Sequence, residues 1–304
     1  MPSPIVPRSK TNPVGQTSKI RKVVKTYSES LKVVQDALIE TVEAWPTVVH
    51  NAMQVNAFYE FLVDAATITS LVSRIAQSLK AGGGPEAARA AADASYKEGV
   101  GKAAENLSGL LEDTSAWTLM DRLGHNQTLK RATLAGSRAF EQMEGLTEQT
   151  ATDLGRILFQ AIQDGENPKQ TAKTIRERIG VSRRRAETIA RTEITGAHRR
   201  GRWDEARATE ERFGEEVRLL HASALIPGRT RRTHARRHGR IFTVEEESAW
   251  YAQDGNAINC LCSQTEVVVD ENGEPIFGKA VMGRMEKQRG VFLTSTAPKR
   301  SEVA

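Results

Sequence analysis

Apolar residues recur at three- and four-residue steps through the first third of the chain. Leu31, Val34, Leu38 and Val42 form one series, and Phe58, Leu62, Ala65 and Thr69 a second. This spacing predicts helices between about Ile20 and Lys80, with a break at Pro46, whose ring removes a donor and clashes with the preceding turn. Ala81-Gly82-Gly83-Gly84-Pro85 reads as a hinge. Beyond it, Glu86 to Leu111 is an Ala-rich helix weakened by Gly99 and Gly101. Residues 114–145 are expected to hold one or two more helices, with Gly124 and Gly136 as interruptions.

From Thr147 the pattern becomes helix, glycine, helix, glycine, helix. Leu154, Ile157, Leu158 and Ile162 make an apolar stripe ending at Asp164-Gly165. Asn167-Pro168 supplies an N-cap and a first helical position, with Gln170 completing a capping box, for a helix running to Gly180. Ser182 is expected to cap a third helix through about Phe213. Past Gly214 the period shortens. Val217–His221, Arg240–Val244 and Glu266–Asp270 read as strands, the last turning through Glu271-Asn272-Gly273 into Glu274–Phe277. The expected class is therefore α+β: a mainly helical N-terminal half, a helix-rich region, and a small mixed C-terminal domain with short strands. The corresponding boundaries are a flexible arm over 1–18, a helical region over 19–145, an α+β domain over 146–289 and a flexible tail over 290–304.

Composition narrows the function. No run approaches the roughly 20 apolar residues of a membrane span, and the first twenty residues lack the apolar centre of a secretory signal. The chain has only two cysteines, one residue apart, a poor extracellular staple that favours a reducing compartment. Net charge is +5, but residues 183–240 contain sixteen Arg, no Lys and eight Asp or Glu, a local excess of +8. Guanidinium groups in such density suit phosphate or carboxylate partners. They equally suit a helical face laced with Arg–Glu pairs such as Arg207 with Glu211. Arg229, Arg232, Arg236, Arg237 and Arg240 are the candidate phosphate- or partner-binding residues.

Three short motifs follow one another in this half: Ala190-Arg191-Thr192-Glu193, then Arg231-Arg232-Thr233-His234 running on to Gly239, then Asn259-Cys260-Leu261-Cys262. Cys260 and Cys262 with His234 and His238 are the residue types of a zinc site, but a single intervening residue strains chelation by both sulfurs. No metal or other cofactor is therefore expected, and free thiols packing a loop are the plainer reading. His234 could serve as a base beside Arg231 or Arg232, yet no nucleophile or Gly-rich phosphate loop accompanies it. Arg191 and Glu193, two residues apart on a helix, face different sides.

Together these motifs resemble the Mu F-like minor head proteins of tailed bacteriophages, the head-morphogenesis family. Ala190–Glu193, then Arg231, His234 and Gly239, then Asn259, Cys260 and Cys262 carry the resemblance, which spans roughly residues 85–265. His221 stands where the family often has Trp, and His238 where it often has an acidic residue. The resemblance implies a non-enzymatic minor head component that acts inside the phage head near the portal and is assembled in the host cytoplasm. It implies portal, capsid or scaffolding proteins as partners, with double-stranded DNA a further one, and a structural role for Arg191, Thr192, Glu193, Arg231, His234, Gly239, Asn259, Cys260 and Cys262. The rival readings are a nucleic-acid-processing or toxin-like enzyme using Arg191, Glu193 and His234, and a plain DNA-binding module.

Overall fold

A computed structural model describes residues 3–7, 9, 11–50, 57–111, 125–276 and 278–295. The protein is mainly helical α+β. In chain order its elements are α1 (Thr17–Ala44), β1 (Thr47–His50), β2 (Phe58–Phe61), α2 (Ala65–Ala81), α3 (Gly84–Leu111), α4 (His125–Gln163), α5 (Pro168–Phe213), β3 (Val217–Ala222), α6 (Arg232–Arg237), β4 (Ile241–Phe242), α7 (Val244–Ala252), β5 (Ser263–Val268) and α8 (Lys279–Thr294). They form two compact units, one of residues 20–89 and 139–190, the other of residues 1–19, 90–138 and 191–304.

The first unit follows from its apolar stripes. Along α1, Tyr27, Leu31, Val34, Leu38 and Val42 are all buried. Leu154 and Leu158 of α4 and Ile175 of α5 are fully buried in the same unit. The second predicted helical series is corrected. Phe58 lies in β2, which pairs antiparallel with β1, and Leu62 is exposed. Strand-favouring Val48, Val49, Phe58 and Tyr59 win locally, and helix α2 starts only where Asp64 accepts from Thr67 N at 2.7 Å. Its buried face is Ile68, Leu71, Ile75 and Leu79.

Gly165 ends α4 as expected. It takes φ +62°, with Glu166 N donating to Ala161 O at 2.8 Å and Gly165 N to Ile162 O at 3.3 Å. Two predicted breaks are absent. Gly136 lies inside α4 and Gly180 inside α5, which is one helix of 46 residues. A single helical glycine costs about 1 kcal/mol, less than burial of Ile175, Ile179, Ala186 and Ala190 returns. Ser182 caps nothing, because its buried hydroxyl lies 3.0 Å from Thr150 Oγ1. Asn167 does cap α5, its Oδ1 accepting from Lys169 N at 2.9 Å. The interruption expected at Gly124 lies outside the described residues.

The second unit is built on a three-stranded antiparallel sheet, β4-β3-β5. Strand β3 is buried on both faces. Val217 and Leu219 pack with Leu107, Trp203 and Tyr251 from α3, α5 and α7, while Leu220 and Ala222 pack with Met285 of α8. Helices α6, α7 and α8 go beyond the sequence reading, as does the start of β5 at Ser263. Helix α7 has a clear local cause, a reciprocal capping box between Thr243 and Glu246. The Glu266–Phe277 hairpin shrinks to β5 plus a single Val269–Pro275 bridge, with Phe277 outside the described residues.

The supposed flexible ends are partly ordered. In the arm, Val14 and Gln16 are buried, and Ile5 N donates to Asn106 Oδ1 at 2.6 Å. Helix α8 continues to Thr294; residues 296–304 lie outside the described set. Helices α3 and α5 meet in this unit with almost no space between them. A Cβ on Gly99 would lie 2.1 Å from His198 O, and one on Gly201 2.2 Å from Tyr96 O. Gly99 is thus a packing requirement in a helix whose sequence suggested only weakness.

Candidate functional site

Within the second unit, the three motifs converge on the loop before β5. Asn259 holds φ +55°, a left-handed conformation that Asn tolerates better than most residues. Its Oδ1 accepts from Arg191 Nη1, and its N–H donates to Thr192 Oγ1 at 2.9 Å. One turn further along α5, Thr195 donates to Cys260 O at 3.3 Å. Arg231 holds the other side of the loop, with its guanidinium donating to Gly255 O, Asn256 O and Ile258 O at 2.9, 2.8 and 3.1 Å. Arg191, Thr192 and Arg231 therefore shape the backbone that carries Cys260 and Cys262.

Glu193, one step round α5, faces away from this loop and is paired with Arg138 at 3.0 Å. Gly239 has a separate duty. At φ +75° its N–H donates to His221 O at 2.9 Å, and a Cβ there would lie 2.8 Å from Met285 Cβ.

At the centre, His234 Nδ1 lies 3.4 Å from Cys262 Sγ and 3.5 Å from Cys260 Sγ, and all three side chains are buried. The intervening Leu261 does not keep the sulfurs apart: all three potential ligand atoms lie within 4.8 Å of one another. His238 does not join them. Its Nδ1 accepts from Ser223 N at 3.0 Å, its Nε2 faces Gln288 Oε1 at 3.2 Å, and burial pushes its pKa down to about 4.

Burial alone would raise the Cys260 thiol. Hydrogen bonds from Cys262 and His234, with the charge of Arg199, outweigh it and hold this thiol well below its ordinary value. Cys262 is driven the other way, first by its bond to Cys260 and then by burial. His234 is held below its ordinary value by burial. Arg199 is itself fully buried, its guanidinium 4.1 Å from the centre of the Tyr251 ring.

Two further clusters of buried charge were not legible in the motifs. Arg202 forks onto Glu266, Nε to Oε1 at 3.0 Å and Nη2 to Oε2 at 2.6 Å, while Asn106 Nδ2 donates to Glu266 O at 2.8 Å. His221 Nδ1 meets Glu247 Oε1 at 2.8 Å, and Arg237 approaches the same oxygen at 3.2 Å. Glu247 is one of three consecutive acids in the first turn of α7. Only the position of α7 against β3 reveals its role.

These pairs revise the arginine count. Arg237 lies over the Phe242 and Trp250 rings, Arg232 donates to Leu293 O at 3.1 Å, and Arg207 pairs with Glu245, not Glu211. Arg229, Arg236 and Arg240 remain exposed.

Residues 152–265 match the model of a family described as Phage Mu protein F like protein. That segment of the chain is Mu F-like. The match takes in the end of α4, all of α5 and every motif residue described above, so the Mu F-like segment contains both the anchored loop and its anchors. Comparison with curated proteins and with solved structures gave no match. Among the described residues no helix is long and apolar enough to cross a membrane.

Proposed function

We propose that this Mu F-like protein is a minor structural component of a tailed-phage head, assembled in the host cytoplasm and retained inside the virion near the portal, where portal, capsid or scaffolding proteins are its partners. The observation that carries this reading is the family match over 152–265. The geometry supports a structural role. Arg191, Thr192, Arg231 and Asn259 are engaged with one another or with backbone in shaping a loop, and Glu193 is engaged with Arg138. The Arg191, Glu193 and His234 set that an enzyme would use does not converge, since the cavity at His234 is lined by neither Arg191 nor Glu193. Purified heads should contain the protein, and deleting its gene should give defective heads. Heads that lack the protein, or that form normally without it, would sink the proposal.

Contact with packaged DNA is the finer part of the proposal, and it falls to the exposed Arg229, Arg236 and Arg240. Three phosphate contacts give a slope of about −3 for log affinity against log salt concentration. A much steeper slope would mean that basic side chains beyond these three reach DNA, and a flat one would reject DNA contact.

A further inference from the structure

We propose that His234, Cys260 and Cys262 bind a thiophilic divalent cation, zinc, through three protein ligands, with the fourth position open to a small cavity.

The distances fit first. With Zn–S near 2.3 Å and Zn–N near 2.0 Å, neighbouring S and N ligands of a tetrahedral ion lie about 3.5 Å apart. His234 Nδ1 already stands 3.4 and 3.5 Å from the two sulfurs. Two thiols and an imidazole are also the donor set that selects zinc over magnesium or calcium, whose preferred ligands are oxygens.

The surroundings of Cys260 are those of a thiolate. Cys262 N donates to Cys260 Sγ at 3.3 Å, the Tyr251 hydroxyl lies 3.7 Å from the same sulfur, and the buried Arg199 adds a fixed positive charge beside both. Gln264 Nε2 donates to the Tyr251 oxygen at 3.0 Å, leaving that hydroxyl's proton free to point at sulfur. Ligands oriented by a further layer of hydrogen bonds are what a preformed metal site requires.

The loop anchors then have a purpose beyond shape. Arg231 fixes three carbonyls, while Thr192 and Thr195 fix the backbone on either side of Cys260. They hold both sulfurs toward His234, overcoming the strain that a single intervening residue imposes.

Among the described residues no fourth His, Cys, Asp or Glu joins the group. Instead a cavity of about 40 Å³ opens onto it, lined by Thr230, Arg231 and Asn259 besides the three ligands. That is room for one water, the usual fourth ligand where the protein supplies three.

The test uses the full chain, purified under reducing conditions, stripped with a chelator and titrated with cobalt(II). We expect one equivalent to bind, with a thiolate-to-cobalt charge-transfer band and the intense visible absorption of tetrahedral cobalt, both abolished by one equivalent of zinc. Cys260→Ser and Cys262→Ser should lose the charge-transfer band in part and together entirely. Arg231→Lys should keep the tetrahedral spectrum while weakening zinc binding about 10- to 100-fold, the usual effect of disturbing a supporting residue. If the cysteine variants do not fold, the wild-type titration still decides. No stoichiometric cobalt uptake by folded protein with two free thiols overturns the proposal, as does a spectrum that survives in the double serine variant. Recovery of the native chain with Cys260 and Cys262 oxidised to each other also overturns it, in favour of a redox pair. None of these results depends on whether the protein enters phage heads.

Discussion

The helical unit of residues 20–89 and 139–190 and the Mu F-like sheet region of the other unit are held together by different means. In the first, Leu31, Leu79, Leu154 and Leu158 are buried, the Lys80–Glu148 pair lies at the surface, and the more sheltered Arg178–Asp153 pair still keeps part of its surface exposed. In the second, Arg199, Arg202, Glu247 and Glu266 are buried beside the sheet. An exposed pair contributes little because water screens it. A buried pair is different: deleting one member leaves a charge in a medium that cannot solvate it. The sheet region is therefore sensitive to single polar changes that the helical unit would absorb, and that sensitivity follows from how its loop is positioned.

The largest effect that separates the two is expected at Glu266. Glu266→Gln leaves the 6% exposed Arg202 side chain unpaired and should cost about 3–5 kcal/mol, read as a lower denaturation midpoint by circular dichroism. Lys80→Ala in the helical unit should leave the midpoint where it was. Equal effects would show that the contrast is wrong. Pairing Arg202→Met with Glu266→Leu sharpens it: the double variant should recover most of the loss, because apolar residues of similar volume often replace a buried ion pair without penalty.

Glycines repeat the contrast on a smaller scale. Gly239→Ala combines a left-handed φ with a Cβ pressed against Met285, and should destabilise by about 2 kcal/mol or more. Gly145 sits inside α4, and beyond its own stretch of helix no atom lies within 4 Å of an added Cβ. Gly145→Ala should therefore stabilise by about 0.5–1 kcal/mol through helix propensity. Thermal midpoints of the two variants should move in opposite directions.

The same contrast explains what could be read from the chain. Helix α1 was legible because Leu31, Val34, Leu38 and Val42 bury on one face, so period and burial coincide. Gly165 was legible because a helix end is a local event. Gly180 misled because tertiary burial outweighs a single glycine, and Phe58 misled because four residues fit either period. Helices α6 and α7 are short, six and nine residues, and nothing in their apolar spacing announces them. At the site, the motifs marked the right residues, but their spacing argued against a shared ligand set. Whether Cys260 and Cys262 can point together is fixed by anchors more than 20 residues away in sequence, Thr192 and Arg231, whose bonds only the fold reveals.

The last prediction tests whether the sheet region also responds to pH through its buried polar groups. His238 is 6% exposed, and burial holds its pKa at about 4, against about 6.5 in an unfolded chain. The neighbouring His221 and Arg289 push in the same direction, while the bond with Gln288 opposes them. Between these two values the unfolded chain binds the proton and the folded chain does not. The contribution of His238 is therefore fully present above about pH 6.5 and declines as the pH falls toward 4, by up to about 1.4 kcal/mol per pH unit. His238→Asn keeps an acceptor for Ser223 N but cannot titrate. Unfolding midpoints across this range, measured with chelator present so that metal release plays no part, should fall less steeply for the variant than for the wild type. Parallel curves would remove His238 from the balance and leave the sheet region's acid sensitivity to its other buried histidines, His198 and His234, whose pKa values burial also lowers.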